Sequence, residues 1–596
     1  SGHSMMEFGA RPRDYGHNPN FDERLQWLRR FIKISVEVSN FGESTLASSA
    51  RQLVASRFRF LWRYPDLRPD LYSIALDLND KAPWLEGWRA VCSALYYDYR
   101  KSLSSSELES VKSQLLMLKD ELSPKDLVSK IEALVINPGQ QSWLLDDEFD
   151  EQNPKKYEDA RVRLENRAFG YGEQVGKMPA MLQLLAMKLF DSNHAPNRMA
   201  FGRGLMSSSA KPRWTWDILI EALHSLESKL FNYSVLSGAL EELSNLDKQL
   251  TFELLNEAAD DELLKPIIVG LHPYSSFSEV DFDRCVNVFE SIEGHVQGIE
   301  RLFWQDEYLN VAYSKLVDLA KKLLFKANGD CVLLEALTMR LHGKVKSEDI
   351  LGEELRKIAL RAAASHLTKN DPEPGGLGDY RLTEVLSHCL PFKGCVEEKT
   401  LVLDALFNDS NGALEHMYWY GEAVTVVVKH LTSPFLTRAL LEGDVQDYLR
   451  FHISEGEPNF KNPLENVSSK DLIDWCINSG DEKAWKLIAG IIAPFDSTQD
   501  DKACKLSEQA LAILNAAPNS VEVLDIYVDA VSPMSCSGNS ANIMARRILA
   551  LKELESSELE GLAEHLRNVL TRLKRDEAEE RAREANRDRE REQRFE

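Results

Sequence analysis

"VLSGALEEL", Val235 to Leu243, decides how the rest of the chain is read: its apolar residues recur at helical steps, and a glycine stands inside the apolar side. Glycine is placed in the same way in "PIIVGLHPY" (266–274) and "HVQGIERLF" (295–303), a recurrence of about 30 residues that suits degenerate helix-pair repeats. A lone helix pair cannot bury its apolar stripe, so such pairs stack on their neighbours and share one continuous core. The expected fold is therefore all-α, an α-solenoid of degenerate helix-pair repeats ending in a charged C-terminal helix. A compact set of helical bundles is the alternative.

The helical period holds on either side. In "FDERLQWLRRFIKI" the residues Leu25, Leu28, Phe31 and Ile32 line one face. "LSPKDLVSKIEALVINPG" reads as a helix with Ser123 as N-cap, Pro124 in its first turn and "NPG" (137–139) as its stop. "SSKDLIDWC" sets Ser468 and Asp471 at capping-box spacing. "AVTVVV" (423–428) is β-branched enough for a strand, yet Val424, Val427, Val428 and Leu431 share one helix face, and helix is the expectation. Polar breaks at "DDEFDEQNP" (146–154), "FGRGLMSSSAKPR" (201–213) and "NDPEPGGLGD" (370–379) interrupt the period. The expected organisation is an expression scar (1–5), an N-terminal helical region (6–145), central repeats (154–369), C-terminal repeats (380–571) and a charged, solvated helix (572–596).

Composition narrows the function classes. The 596 residues carry a formal charge of −24, which repels phosphate backbones and argues against sequence-blind nucleic-acid binding. Eight cysteines without a CxxC pair read as reduced core thiols of a cytoplasmic protein, with neither a disulfide framework nor a zinc site. No apolar run approaches the roughly 20 residues of a membrane helix. The tail from Arg572 to Glu596 holds nine basic and nine acidic residues, which cancel. Pairs such as Glu577–Arg581, Glu579–Arg583 and Glu590–Arg594 support a helix that has almost nothing apolar to bury.

No motif secures a catalytic residue. "GYGEQVGKM" (170–178) has the wrong glycine spacing for a phosphate-binding loop and a methionine where a hydroxyl belongs, so it reads as a Gly-rich helix connector. Arg361–His366 and Arg381–His388 match the loose Arg-x(4 to 6)-His spacing of HEPN-type ribonucleases no more often than chance allows. Asp146, Asp147, Glu148, Asp150 and Glu151 lack the glycine and terminal glutamate of an EF-hand and read as a solvated loop. Around Phe201 and Trp214 stand Arg198, Arg203, Lys211 and Arg213, a basic loop able to grip phosphate and stack a base, unless its charges are spent on internal ion pairs. Tyr418, Trp419 and Tyr420 concentrate aromatics that can anchor a partner or fill a core.

"FGARPRDYGHNP" (8–19), "LSGALEEL" (236–243) with "LLNEAADDELLKPIIVGL" (254–271), and "SPMSCSGNSANIMARRILALKEL" (532–554) running into the charged helix that ends "RFE" resemble the C-terminal helical-repeat regions of large bacterial STAND-like P-loop NTPases of anti-phage defence. The resemblance implies a sensor that binds an intruder-derived protein while a separate NTPase or effector module acts. This sequence lacks the motifs of either module. The expected function is a non-enzymatic protein-recognition module with no cofactor and no metal. Its expected partner is a protein, phage-derived by the resemblance, or an NTPase/effector module. The alternative is an enzyme or nucleic-acid-processing subunit with a dispersed site near 198–214.

Overall fold

The computed structural model describes residues 21–595, apart from 40–44, 100–105, 138–144, 146–154, 193–194, 228–229, 274–276, 295, 305–310, 346–347, 370–376, 408–416, 443–461, 497–503, 534–538, 558 and 560. The acidic loop at 146–151 and most of the break at 370–379 fall outside the described residues. Two compact units make up the chain, Ser1–Gly298 and Ile299–Glu596. Among the described residues the regular elements are helical, and extended backbone pairs only in an isolated bridge between Phe495 and Leu506.

The first unit contains α1 (Phe21–Ser39), α2 (Thr45–Trp62), α3 (Arg68–Lys81), α4 (Leu85–Tyr99), α5 (Ser106–Leu122), α6 (Leu127–Ile131), α7 (Lys155–Gly176), α8 (Pro179–Leu185), α9 (Arg198–Ser208), α10 (Pro212–His224), α11 (Ser234–Leu246), α12 (Lys248–Asp260), α13 (Ile268–Leu271) and α14 (Glu279–Ser291). Helices near in sequence are neighbours in space: α1 lies on α2, α2 on α4, α3 on α5, α7 on α9, α9 on α11 and α12 on α14. Around α1 to α5 the core is built on Phe58, Trp62 and Trp84, all buried.

The second unit contains α15 (Tyr313–Leu324), α16 (Gly329–Leu341), α17 (Gly352–Leu367), α18 (Leu377–Cys389), α19 (Val396–Leu406), α20 (Met417–His430), α21 (Thr432–Leu440), α22 (Ser469–Ser479), α23 (Ala484–Ile491), α24 (Glu508–Ala516), α25 (Ser520–Asp529), α26 (Ser540–Lys552) and α27 (Leu562–Phe595). Here α16 packs on α17 and α18, α17 on α19, α18 on α20, α22 on α24, α23 on α25 and α26 on α27. Such one- and two-step pairing is the contact pattern of stacked helix pairs. The fold is an all-α solenoid, as the period implied. "AVTVVV" lies in α20, which kinks at Tyr420 (φ −127°, ψ 27°).

Several local expectations need correction. Ser123 does not begin a helix: its Oγ donates to the Asp120 carbonyl 2.7 Å away and closes α5. Asp126 caps α6 instead, accepting from the Ser129 amide at 2.9 Å, and leaves Pro124 outside the helix. The three glycine stretches are also not equivalent. Gly238 lies inside α11, Gly270 packs under the Tyr233 ring in the one-turn α13, and Gly298 takes φ 83° ahead of a short 3₁₀ turn. Helix pairs repeat, but the glycine spacing does not mark them.

Glycine acts most strongly where α9 is clamped. Gly202 and Gly204 are two residues apart, hence on opposite faces of a helix. A β-carbon on Gly202 would overlap the Val235 carbonyl of α11, and one on Gly204 the Phe169 carbonyl of α7. The approach is reciprocal, since Gly238 meets the Met199 carbonyl and Gly172 the Phe201 carbonyl. Backbones therefore touch on both sides of α9. "GYGEQVGKM" is not a connector: α7 runs through it to Gly176, because its glycines admit α9.

The tail is helical and partly docked. Arg581 donates to Glu577 at 2.9 Å as expected, whereas Arg583 pairs with Glu580 at 3.2 Å in place of Glu579. Arg594 has no described side chain. Glu584 accepts from the Ser540 amide at 2.6 Å, so a tail carboxylate occupies the positive end of α26. The segment is not simply solvated.

Gly204→Ala should lower the urea-unfolding free energy of the full chain by about 3 kcal/mol, since the Phe169 carbonyl of α7 that its β-carbon would meet cannot retreat. Gly170→Ala, on the same α7 that carries Gly172 but with nothing within 4 Å of the added carbon, should raise it by about 0.5–1 kcal/mol. Equal effects from the two substitutions, read by circular dichroism, would refute the clamp.

Candidate functional site

The expected basic loop is two helices. Arg198 opens α9, is fully buried, and donates through Nε to the Val135 carbonyl (3.3 Å), through Nη2 to Ile136 (2.7 Å) and through Nη1 to Asp191. Asn197 adds a bond to the Leu134 carbonyl at 3.0 Å. The Leu134, Val135 and Ile136 carbonyls end the π turn Glu132–Ile136, where helical carbonyls have no N–H donors of their own, so carbonyl dipoles compensate the buried charge. Phe201 is core. Arg203 faces Glu242 at 3.8 Å, and Arg213 forks onto Glu257 at 2.7 and 2.9 Å with Asp217 at 3.0 Å. Trp214 and Lys211 are exposed. The six residues are spread over core, helix–helix ion pairs and surface, and do not form one phosphate-binding face.

Of the aromatic trio, the side chains of Tyr418 and Trp419 lie outside the described residues. Tyr420 is buried, its ring 6.0 Å from that of His366. Neither Arg–His match assembles: Arg361 donates to Glu398 at 2.7 Å and Arg381 to Glu335 at 2.9 Å, while the His388 Nδ1 meets the Glu384 carbonyl at 2.9 Å.

Two buried clusters of titratable groups emerge that no sequence motif signals. In the first unit His272 donates from Nδ1 to the Ile268 carbonyl (2.8 Å) and accepts at Nε2 from Arg284 (2.9 Å). Arg284 also reaches Asp281 (2.6 Å) and Asn256 (2.8 Å). Asp281 and Ser278 form the capping box of α14. Burial pushes His272 down to about 4, against the Ile268 carbonyl and Asp281, and it pushes the Cys285 thiol up. Every polar atom of the ring is used, so His272 stays neutral and structural.

The second cluster lies in the other unit and is built by a tight turn. Asn328 takes φ 57°, and Gly329 meets the Leu323 carbonyl so closely that no side chain fits, which folds α16 back on the end of α15. Asp330 and Cys331 thus occupy the first turn of α16, with His366 in the last turn of α17 and Lys369 just beyond it. The His366 Nδ1 lies 3.5 Å from the Cys331 Sγ and 3.8 Å from Asp330 Oδ2, and the Lys369 ammonium lies 2.6 Å from Asp330 Oδ1 and 3.6 Å from the sulfur. One ligand atom each from Asp330, Cys331 and His366 falls within 4.8 Å of the others. Burial opposes charge on His366, but Asp330 and Cys331 outweigh it and lift the imidazole to about 9. Burial likewise opposes charge on Asp330, yet His366 and Lys369 hold it near 2. Thiol and carboxylate face the same imidazole nitrogen, so the trio is not a nucleophile–base–orienter relay, which needs both ring nitrogens.

These features define an all-α helical-repeat protein with, among the described residues, one cluster of potential metal ligands, in its second unit. No family model matches the chain, and no curated protein does. A solved structure described as a circular tandem repeat protein with novel repeat topology and enhanced subunit contact surfaces is similar at 12% identity and a TM-score of 0.15, covering 94% of this chain and 98% of that one. A likeness at that level carries no argument here.

His272 sets a pH dependence. Its pKa falls from about 6.5 unfolded to about 4 folded, so the unfolded chain binds the extra proton, and the stabilisation present above pH 6.5 is lost as pH drops toward 4. That loss amounts to about 3 kcal/mol. His272→Gln should therefore lose less stability than the parent between pH 7 and 4.5, measured by hydrogen exchange of the α13 and α14 amides corrected for intrinsic rate. Identical pH slopes would contradict the assignment.

Proposed function

We propose that this chain is a protein-recognition scaffold with no catalytic site of its own, acting in the cytoplasm as the sensor part of a bacterial anti-phage system. The resemblance of three of its segments to the helical regions of STAND-like NTPases supplies that context. The reading is carried by the outward side of the first helix pair. Leu46, Leu53 and Phe60 recur every seven residues along α2 and are 42% to 71% exposed. Trp27 and Ile34, also seven apart, are exposed on α1. Of the nine exposed residues of α2 only Arg57 is charged, in a chain whose composition is 28% charged. A row of large apolar side chains in uncharged surroundings costs solubility, and such patches mark interaction sites. The α2 row spans roughly 20 Å, the length over which about four turns of an amphipathic partner helix lay down apolar anchors and a carboxylate for Arg57.

A photo-crosslinker at position 53 should capture a protein from phage-infected cells. Leu53→Glu with Phe60→Glu should weaken binding of that protein roughly 30-fold or more, the scale of two lost anchors, while lowering the melting temperature only modestly because both side chains are about half exposed. Undiminished binding by the double variant removes the α2 face from the reading. ATP hydrolysis or nuclease activity of the purified chain removes the claim that it is non-enzymatic.

A further inference from the structure

We infer that Asp330, Cys331 and His366 form a binding site for a zinc-type divalent ion, with Lys369 as the cation that faces two of its ligands. The inference is independent of the recognition face and lies in the other unit.

Geometry is the first support. Bonds of about 2.0–2.3 Å from a tetrahedral zinc to sulfur, nitrogen and oxygen place the ligand atoms about 3.3–3.6 Å apart. The Sγ–Nδ1 separation of 3.5 Å is already at that value, and the Nδ1–Oδ2 separation of 3.8 Å is a few tenths wide. The second support is an unsatisfied atom. Asp330 is 4% exposed, and its Oδ2, directed at the imidazole, has no hydrogen-bond partner among the described residues. Buried carboxylate oxygens are normally hydrogen-bonded, and this one, 3.8 Å from the His366 ring nitrogen, is open to a ligand bond. His366 is 3% exposed, with its Nε2 also unpartnered and its ring against Tyr420.

The donor set selects the metal class. One thiolate, one imidazole and one carboxylate are too soft for magnesium or calcium, which take oxygen cages, and suit zinc or its cobalt substitute. The first turn of α16 favours the anionic form of Asp330, whose carboxylate accepts from the Cys331 backbone amide. Loading exchanges one divalent cation for the thiol proton and the Nδ1 proton, both released to solvent, so the net charge of the cluster does not change. Cys331 is partly exposed, which gives the ion a path inward. Three protein ligands leave a fourth position for water or for a group from a bound molecule.

The test uses the full chain, stripped with a chelator and titrated with zinc chloride or cobalt chloride. One ion per chain should bind, cobalt should develop the near-ultraviolet absorption of a thiolate-to-metal transition, and zinc should raise the melting temperature. Cys331→Ser should abolish the cobalt band and weaken zinc at least tenfold, while Cys504→Ser, which alters the other partly exposed thiol among the described residues, should leave both intact. Asp330→Asn, isosteric and so tolerated by the fold, should weaken zinc while keeping the cobalt–sulfur band. Failure of the parent chain to bind stoichiometrically, or binding unaltered in Cys331→Ser and Asp330→Asn, overturns the site.

Discussion

Backbone contact on both sides of α9 is the constraint on which the first unit depends. Gly202 and Gly204 remove the side chains that would hold α11 and α7 away, and Gly238 and Gly172 answer them from the partner helices. Once α9 is fixed at that distance, its first residue has nowhere to go but the core, and Arg198 becomes the cap of the π turn rather than a surface cation. Close approach also places the Ser208 hydroxyl on the Glu173 carbonyl at 2.8 Å, a bond that a bulkier interface would forbid. A stretch composed like a flexible basic loop is thereby among the most tightly held parts of the unit.

The two histidine clusters show how one set of residue types reaches different ends. Each joins an imidazole, a cysteine, an aspartate and a base. Around His272 both ring nitrogens are partnered, one by a carbonyl and one by a guanidinium, and burial expels charge from the ring. Around His366 a carboxylate, a sulfur and an ammonium converge on one side, and attraction to Asp330 and Cys331 keeps a cation in place against burial. An imidazole partnered on both nitrogens holds a helix start in register, whereas converging side chains leave ligand atoms to spare.

Charge on this chain works locally more than globally. The formal −24 sets the far field, yet Arg213 binds α10 to α12 through Glu257, and Glu584 of the neutral tail finds the amide end of α26. Against this background the uncharged outer row of α2 stands apart, and no helix among the described residues is long and apolar enough to cross a membrane.

Sequence alone determined the helical class, because a period of three to four residues follows from the geometry of a single helix and needs no partner. It also marked the Ser468 cap, whose Oγ accepts from the Asp471 amide, and the helical state of "AVTVVV". What glycine does was beyond it. Gly170 and Gly172 stand in the same "GYG" on one helix, and only the arrival of α9 makes the second obligatory while the first meets nothing. The ligand cluster was equally hidden: Asp330 and Cys331 lie 36 and 35 residues from His366, with no local spacing to betray them, and the fold of α16 against α17 alone brings their atoms together. Local periodicity is written in neighbours along the chain, but the worth of a glycine, an arginine or a histidine is set by which backbone comes to lie beside it.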